Sequence, residues 1–357
     1  MKTSLAIATL VALLPQGLPV GLVGAPGVGK SDAVYQAAAR LGWDVITSHP
    51  VVSDPTEAKG LPMPNVKKGV TEFLPYGHLK HAMGASKPTI WFLDDLGQAT
   101  AATQAAFMQL LLARQIDGHR ISDYVVFVAA TNRREDMAGV SGLLEPVKSR
   151  FGTLLHIEAD LRGWMTWAIA NGISQEIIGF LAFRPKFFHD FRPTRDMTNS
   201  PTPRTWVHLD KMLRATGLPE EAIFEVAQGA VGTAAATEFT RFLKIHRGLP
   251  DVNAVLLQPR KAPIPTELSQ RYALANALAY HANGANLGRV LDYAERLAEH
   301  GHAEVVAQML TSLGATHPEL RTAPEYVRVA DAASPLSKIL AASADVEFDD
   351  LPVELPA

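Results

Sequence analysis

The run Gly24-Ala25-Pro26-Gly27-Val28-Gly29-Lys30-Ser31 constrains this chain more than any other stretch, because it dictates both a ligand class and the backbone that holds it. It satisfies the G-x-x-x-x-G-K-[ST] pattern of a phosphate-binding loop at every fixed position. Gly24, Gly27 and Gly29 permit a tight turn whose successive N–H groups point at one anion. In such a loop the Lys30 ammonium reaches the β- and γ-phosphates of a nucleotide, and the Ser31 hydroxyl ligates Mg²⁺. The flanks agree. Val20-Gly-Leu-Val23 is apolar enough for a short buried strand, and Ser31 to Arg40 reads as a helix whose N-terminus faces the phosphates.

Strand and helix signals alternate up to residue 158 and turn almost wholly helical after it. Further strands are predicted over 45–48, 89–93, 124–130 and 153–157, with a helix over 100–115 that carries Phe107, Leu110 and Leu111 on one face. Strands separated by helices imply an α/β unit with a parallel sheet covered on both faces. Helical windows then follow at 161–171, 174–184, 204–215, 219–230, 234–246, 266–282, 286–299 and 303–313. Val290, Leu291, Ala294, Leu297 and Ala298 make one apolar stripe in the seventh of them. Proline-rich breaks at 183–203, a linker or lid loop, and at 249–265 suggest boundaries: an α/β nucleotide domain over 1–158, a helical region over 159–248, and a helical C-terminal extension over 249–357 ending in a frayed acidic tail, 345–357.

Composition narrows the class. At 357 residues the chain can bury two cores, and its net charge of −3 supplies no general field for nucleic acid. The absence of cysteine excludes a disulfide scaffold, thiolate metal sites and a cysteine nucleophile. No apolar stretch is long enough to span a bilayer, and the apolar start Met1 to Leu14 reads as a helix packed on the nucleotide core rather than a leader. A cytosolic enzyme with no membrane partner is the expectation.

Asp94 and Asp95 follow the apolar strand at 89–93, at the carboxyl edge of the sheet where ligands bind in open α/β folds. An acid at 94 can hold Mg²⁺ beside Ser31, and one at 95 can polarise an attacking water. Asn132, after the strand at 124–130, projects toward the same edge and can hydrogen-bond the water or the γ-phosphate. The pair His78 and His81 lacks a third ligand nearby, so a metal site is not expected there.

Phosphate loop, Asp94-Asp95, Ala130-Thr-Asn132 and Pro146-Val-Lys-Ser-Arg150-Phe151, in that order, resemble an AAA+ ATPase, and within that superfamily the MoxR group and its dynein-related relatives. Asp54-Pro to Gly60-Leu-Pro62, a hairpin-like segment at Asn65 to Leu74, and Pro201-Thr-Pro-Arg204 are similar to stretches these proteins carry. The resemblance implies a P-loop AAA+ core followed by a helical lid (159–248) and the extension. It implies ATP and Mg²⁺ as ligands, with Gly24, Ala25, Pro26, Gly27, Val28, Gly29, Lys30, Ser31 and Asp94 binding them and Ser31 and Asp94 on the metal.

By the same resemblance Asp95 is the catalytic acid, Asn132 sensor 1, Arg204 sensor 2, and Arg150 an arginine finger for the neighbouring subunit, a role for which Arg133 and Arg134 compete. Position 95 departs from the family, whose usual residue is Glu; the shorter Asp makes slow hydrolysis an expectation. The implied assembly is a homo-oligomeric ring, hexameric in the family, acting chaperone-like on a protein client with a von Willebrand factor A domain. Alternatives are a DNA-remodelling AAA+ motor, against which the acidic net charge argues, and a nucleotide-gated scaffold with little turnover. The hairpin at 64–74 is expected to project a Lys67-Lys68-Gly69 tip, with Val66, Val70 and Phe73 packing its stem.

Overall fold

The computed structural model describes residues 1–136, 142–194, 196–247, 252–328, 334 and 336–339; the acidic tail expected at 345–357 lies outside them. The chain forms two compact units, one of Met1–Asp160 with Phe191–Asp196, the other of Leu161–Asp190 with Met197–Ala357.

The first unit begins with α1 (Thr3–Leu13), then β1 (Val20–Gly24), α2 (Lys30–Leu41) and β2 (Asp44–Ser48). A short helix α3 (Thr56–Lys59), a hairpin of β3 (Leu61–Asn65) and β4 (Val70–Leu74), and α4 (Gly77–Met83) lead to β5 (Thr89–Leu93). After α5 (Ala101–Ala113) comes a second hairpin of β6 (Gln115–Ile116) and β7 (His119–Arg120), then β8 (Val125–Thr131), α6 (Glu145–Lys148) and β9 (Thr153–Ile157). Five strands form one sheet in the order β2-β5-β8-β1-β9, and every pairing within it is parallel.

The continuous apolar runs explain this topology. Strands alternate their side chains between the two faces, so a run apolar throughout serves two cores at once. Ile90, Phe92, Val126, Val128 and Ala130 join Leu10, Val34 and Ala37 on one side of the sheet. Trp91, Leu93, Val125, Phe127 and Ala129 join Phe107, Leu110 and Val147 on the other. The apolar start forms α1 as expected, and it packs on α2 with Ala6, Ile7 and Leu10 buried.

The first hairpin starts at Leu61, earlier than expected, and turns at 66–69 with Gly69 at φ 66°. Its stem is not packed as the sequence suggested. Val66 sits in the turn and is 87% exposed, and Val70 is 49% exposed; of the three residues expected to pack it only Phe73 is half-buried, its carbonyl hydrogen-bonded by His119 of the second hairpin. Lys68 is tied to Glu72 at 2.8 Å rather than free at the tip. The second hairpin was not anticipated, although Asp117-Gly118, both at positive φ, is the dipeptide a tight hairpin turn favours.

The second unit is helical: α7 (Leu161–Ala170), α8 (Gln175–Phe183), α9 (Pro203–Leu213), α10 (Ile223–Arg247), α11 (Val252–Leu257), α12 (Leu268–Tyr280), α13 (Leu287–Glu299), α14 (Ala303–Thr316) and α15 (Pro324–Val327). The two windows read as separate helices, 219–230 and 234–246, fall on either side of Gly232, whose φ of 77° and ψ of 163° are not helical, so α10 is two helices joined across a kink. A Cβ there would stand 2.8 Å from the Asn199 carbonyl, so close approach requires glycine. The break expected at 249–265 contains α11, and the one at 183–203 contains buried Phe187 and Phe188. In α13 the stripe is as read, with Val290, Leu291, Ala294 and Leu297 buried.

Candidate nucleotide site

Parallel register brings the loop and its partners to one edge. Val23 lies opposite Thr131 and Leu93 opposite Ala129, so β1, β5 and β8 end together. The residues that leave those ends are Gly24, Asp94 and Asn132. In the loop Gly27 and Gly29 take φ of 76° and 94°, and Gly29 caps α2. A Cβ on Gly24 would come within 2.6 Å of the Ile157 carbonyl, which makes glycine obligatory there. Thr3 Oγ1 donates to the Val28 carbonyl at 3.3 Å, so α1 braces the loop from outside, a support not foreseen from sequence.

Lys30 is 7% exposed, and its ammonium donates to the carbonyls of Gly24 and Ala25 and to Asn132 Oδ1, each at 2.8 Å. An ammonium has three donors, so this set saturates it, and reaching a phosphate requires exchanging at least one of these acceptors. Ser31 Oγ donates to Asp94 Oδ2 at 2.9 Å. A hydroxyl and a carboxylate side by side at a helix N-terminus below a glycine cradle fit a nucleotide with Mg²⁺: oxygen donors suit that hard cation, and the cradle suits the phosphates.

Asp95 has φ 58° and ψ 34°, the left-handed region that Asp and Asn tolerate better than longer side chains. It opens the short turn Leu96–Gln98, whose Gln98 N–H returns to the Asp95 carbonyl at 3.0 Å.

The arginines are sorted by their partners. Arg133 donates through Nε and a terminal nitrogen to both oxygens of the buried Asp136, at 3.1 and 2.8 Å, and pairs with Glu135 at 2.9 Å. Hydrogen bonding to Asp136 holds its guanidinium above the ordinary arginine value. It is committed within its own unit, while Arg134 is exposed.

Arg150 is half-buried; one terminal nitrogen donates to Ser149 Oγ at 2.8 Å, and its buried Nε has no hydrogen-bond partner. It does not share the loop's edge. Gly152 N–H donates to the Pro19 carbonyl at 2.8 Å and Thr153 pairs with Val20, which anchors this segment at the amino ends of β1 and β9. The five residues of β1 separate the two edges by roughly 13 Å. Arg204 lies in the second unit, exposed in the first turn of α9 behind a capping box of Thr202 and Thr205. Neither Arg150 nor Arg204 forms an ion pair among the described residues. His78 hydrogen-bonds Ser48 at 2.8 Å, and no metal-binding cluster of His, Asp and Glu occurs among the described residues.

Gln104 escaped the sequence reading. It is 1% exposed on the stripe that carries Phe107 and Leu111, and an amide at a core position of an apolar helix face was the available signal.

Residues 19–151 match the family model for an AAA domain of the dynein-related subfamily. The first unit thus carries a P-loop AAA+ fold, and helical structure follows it. AAA+ domains as a class hydrolyse nucleotides. Among solved structures, a variant of RuvB from Thermotoga maritima is 19% identical over 84% of this chain and 86% of its own, with a TM-score of 0.41. The RuvB Holliday junction branch migration motor of the same organism is 18% identical over 84% and 85%, with a TM-score of 0.37. NtrX from Brucella abortus in complex with ATP is 15% identical over 90% and 66%, with a TM-score of 0.40. Likeness at this level bears on neither substrate nor partner. No curated protein matches the chain. No helix among the described residues is long and apolar enough to cross a membrane.

Proposed function

We propose that this protein is a Mg²⁺-dependent ATPase whose active site is completed by Arg150 of an adjacent copy in a ring, and that its nucleotide cycle remodels a protein client. The observation that carries the reading is the separation of Arg150 from its own loop: a guanidinium at the amino edge of the sheet, with no ion pair among the described residues, can serve a second molecule's carboxyl edge. The loop amides and Lys30 bind the phosphates. Ser31 and Asp94 would hold Mg²⁺, which neutralises phosphate charge. Asn132 positions the attacking water and Asp95 accepts its proton as the bond to the leaving ADP breaks, while Arg150 stabilises the charge of the transferring phosphoryl group. Arg204 acts as a sensor from a lid over 159–248, followed by the extension over 249–357. The resemblance to the MoxR group supports a hexameric ring and a client with a von Willebrand factor A domain.

Phosphate release at increasing protein concentration tests assembly dependence. Arg150→Ala should keep ATP affinity and lower turnover by about 10³-fold or more. Mixing it with Lys30→Ala should restore activity, since mixed rings contain interfaces with an intact loop and an intact arginine. Mixed rings without restoration would refute the in-trans role, and stimulation by DNA in place of a protein client would refute the client class.

A further inference from the structure

Among the described residues Gln104 is the polar side chain of α5 that hydrogen-bonds the segment before α6, and its side-chain bonds go to backbone. Its Nε2 donates to the Ala99 carbonyl and to the Gly142 carbonyl, both at 3.1 Å, and its Oε1 accepts the Leu144 N–H at 3.0 Å. Ala99 ends the turn that Asp95 opens, and Leu144 is the N-cap of α6. The Leu144 carbonyl then accepts from Val147 and Lys148, and the Val147 carbonyl accepts from Arg150, at 2.9, 3.0 and 3.1 Å. A buried amide thus joins the turn at Asp95 to the short helix that presents Arg150, through a chain of backbone bonds with no exposed link at its centre.

A helix of four residues has too few internal bonds to hold its own direction. Its placement comes from outside: from Val147 and Phe151, buried in the same core as Phe107, from the Gly152–Pro19 bond past its end, and from the Gln104 clamp at its start. With the far side fixed by the Gly152–Pro19 bond, the clamp at the start of α6 governs the near side from which Arg150 emerges.

We infer that Gln104 is a positioning residue for hydrolysis in the neighbouring copy: it sets Arg150 for the other molecule's site, and ties that setting to the Asp95 turn of its own. This rests on the in-trans reading of Arg150 proposed above. The amide touches no nucleotide-binding residue, so its loss leaves ATP binding untouched and appears only in turnover at the next site. Misplacing a group by about 1 Å costs on the order of 10²-fold in rate.

The test is ATPase turnover and ATP affinity of Gln104→Met, which keeps the length of the side chain and removes all three bonds. Turnover should fall about 10- to 100-fold with the dissociation constant for ATP within about threefold of the parent. Mixed with Lys30→Ala, the variant should recover activity, because its intact loop then meets a correctly set Arg150 from the other subunit. Leu144→Pro attacks the clamp from the opposite side: Leu144 has φ −59°, a proline value, so the substitution deletes the N–H that Gln104 accepts, together with a leucine side chain half-buried against the core. It should give the same loss and the same recovery, and it carries the test if the methionine variant does not fold. Parent-like turnover in the variant that folds overturns the inference. So does a loss that mixing fails to repair while Arg150→Ala mixed with Lys30→Ala does recover, since the defect then lies in the variant's own site. If that control pair also fails, the in-trans role of Arg150 falls first and this inference with it.

Discussion

Lys30→Met separates what the ammonium does for the empty loop from what it does for ATP. The methionine keeps the buried stem and removes the ammonium, its charge and its three donors together. In the structure Lys30 donates to the Gly24 and Ala25 carbonyls and to Asn132. Losing those bonds removes about 1.5–3 kcal/mol each of favourable contact to a charged donor. Against that, the variant no longer buries an ammonium at 7% exposure, and desolvating such an ion costs several kcal/mol. The two effects oppose, so the apo protein should melt within a few degrees of the parent.

Binding has no such offset. Two charge-assisted contacts, to the β- and γ-phosphates, are worth about 3–6 kcal/mol together. Kd for ATP should therefore rise about 10²- to 10⁴-fold. Titration calorimetry gives Kd, and a thermal melt of the same sample gives the apo stability. A loss of affinity under tenfold would mean that Lys30 stays on its three protein acceptors when nucleotide binds, and the phosphate role would be refuted.

Asp95→Asn should bind ATP and melt like the parent, since Asn tolerates the left-handed backbone, while phosphate release drops about 10²- to 10⁴-fold; unchanged release would show that another group takes the proton. Asp136→Leu removes the buried carboxylate that accepts from the Arg133 backbone and guanidinium; the guanidinium left behind is 42% exposed and keeps Glu135, so the first unit should lose about 1–2 kcal/mol in a denaturant melt, with an unchanged melt refuting the anchoring role. Replacing Lys67 and Lys68 together by Ser should leave basal ATPase intact and flatten its stimulation by a client; an unchanged stimulation curve would assign the hairpin a bracing role instead. Burial pushes the Tyr272 and Tyr293 hydroxyls up to about 12, so both stay protonated in the folded unit where an unfolded tyrosine ionises near about 10. The stability this provides is complete below about pH 10 and is lost as pH rises toward 12, and Tyr272→Phe should make that alkaline loss shallower in pH-dependent melts.

Local rules carried much of the reading. The phosphate loop was legible because its constraint is one of backbone: Gly27 and Gly29 at positive φ, and a lysine at the helix start, occur within a few residues of one another. The strands were legible because a parallel sheet buried on both faces demands unbroken apolar runs, and runs such as Thr89 to Leu93 have few other uses. The register of those strands then followed from pairing, and brought Asp94 and Asn132 to the edge where Gly24 begins the loop.

Tertiary structure decided what depends on which partner a polar group finds. Arg133, Arg134 and Arg150 look alike along the chain. Only folding binds Arg133 to Asp136 and holds Arg150 at the opposite edge with its Nε unpartnered. Val66 and Val70 read as packing residues because alternation marks a face but not what covers it, and in the fold both stay exposed. Gln104 reads as one more polar residue in a helix until Ala99, Gly142 and Leu144 close around it. Periodicity and motif report constraints within a few residues of chain, whereas a buried hydrogen bond across forty residues has no local signature, and that is where the fold alone assigns the roles.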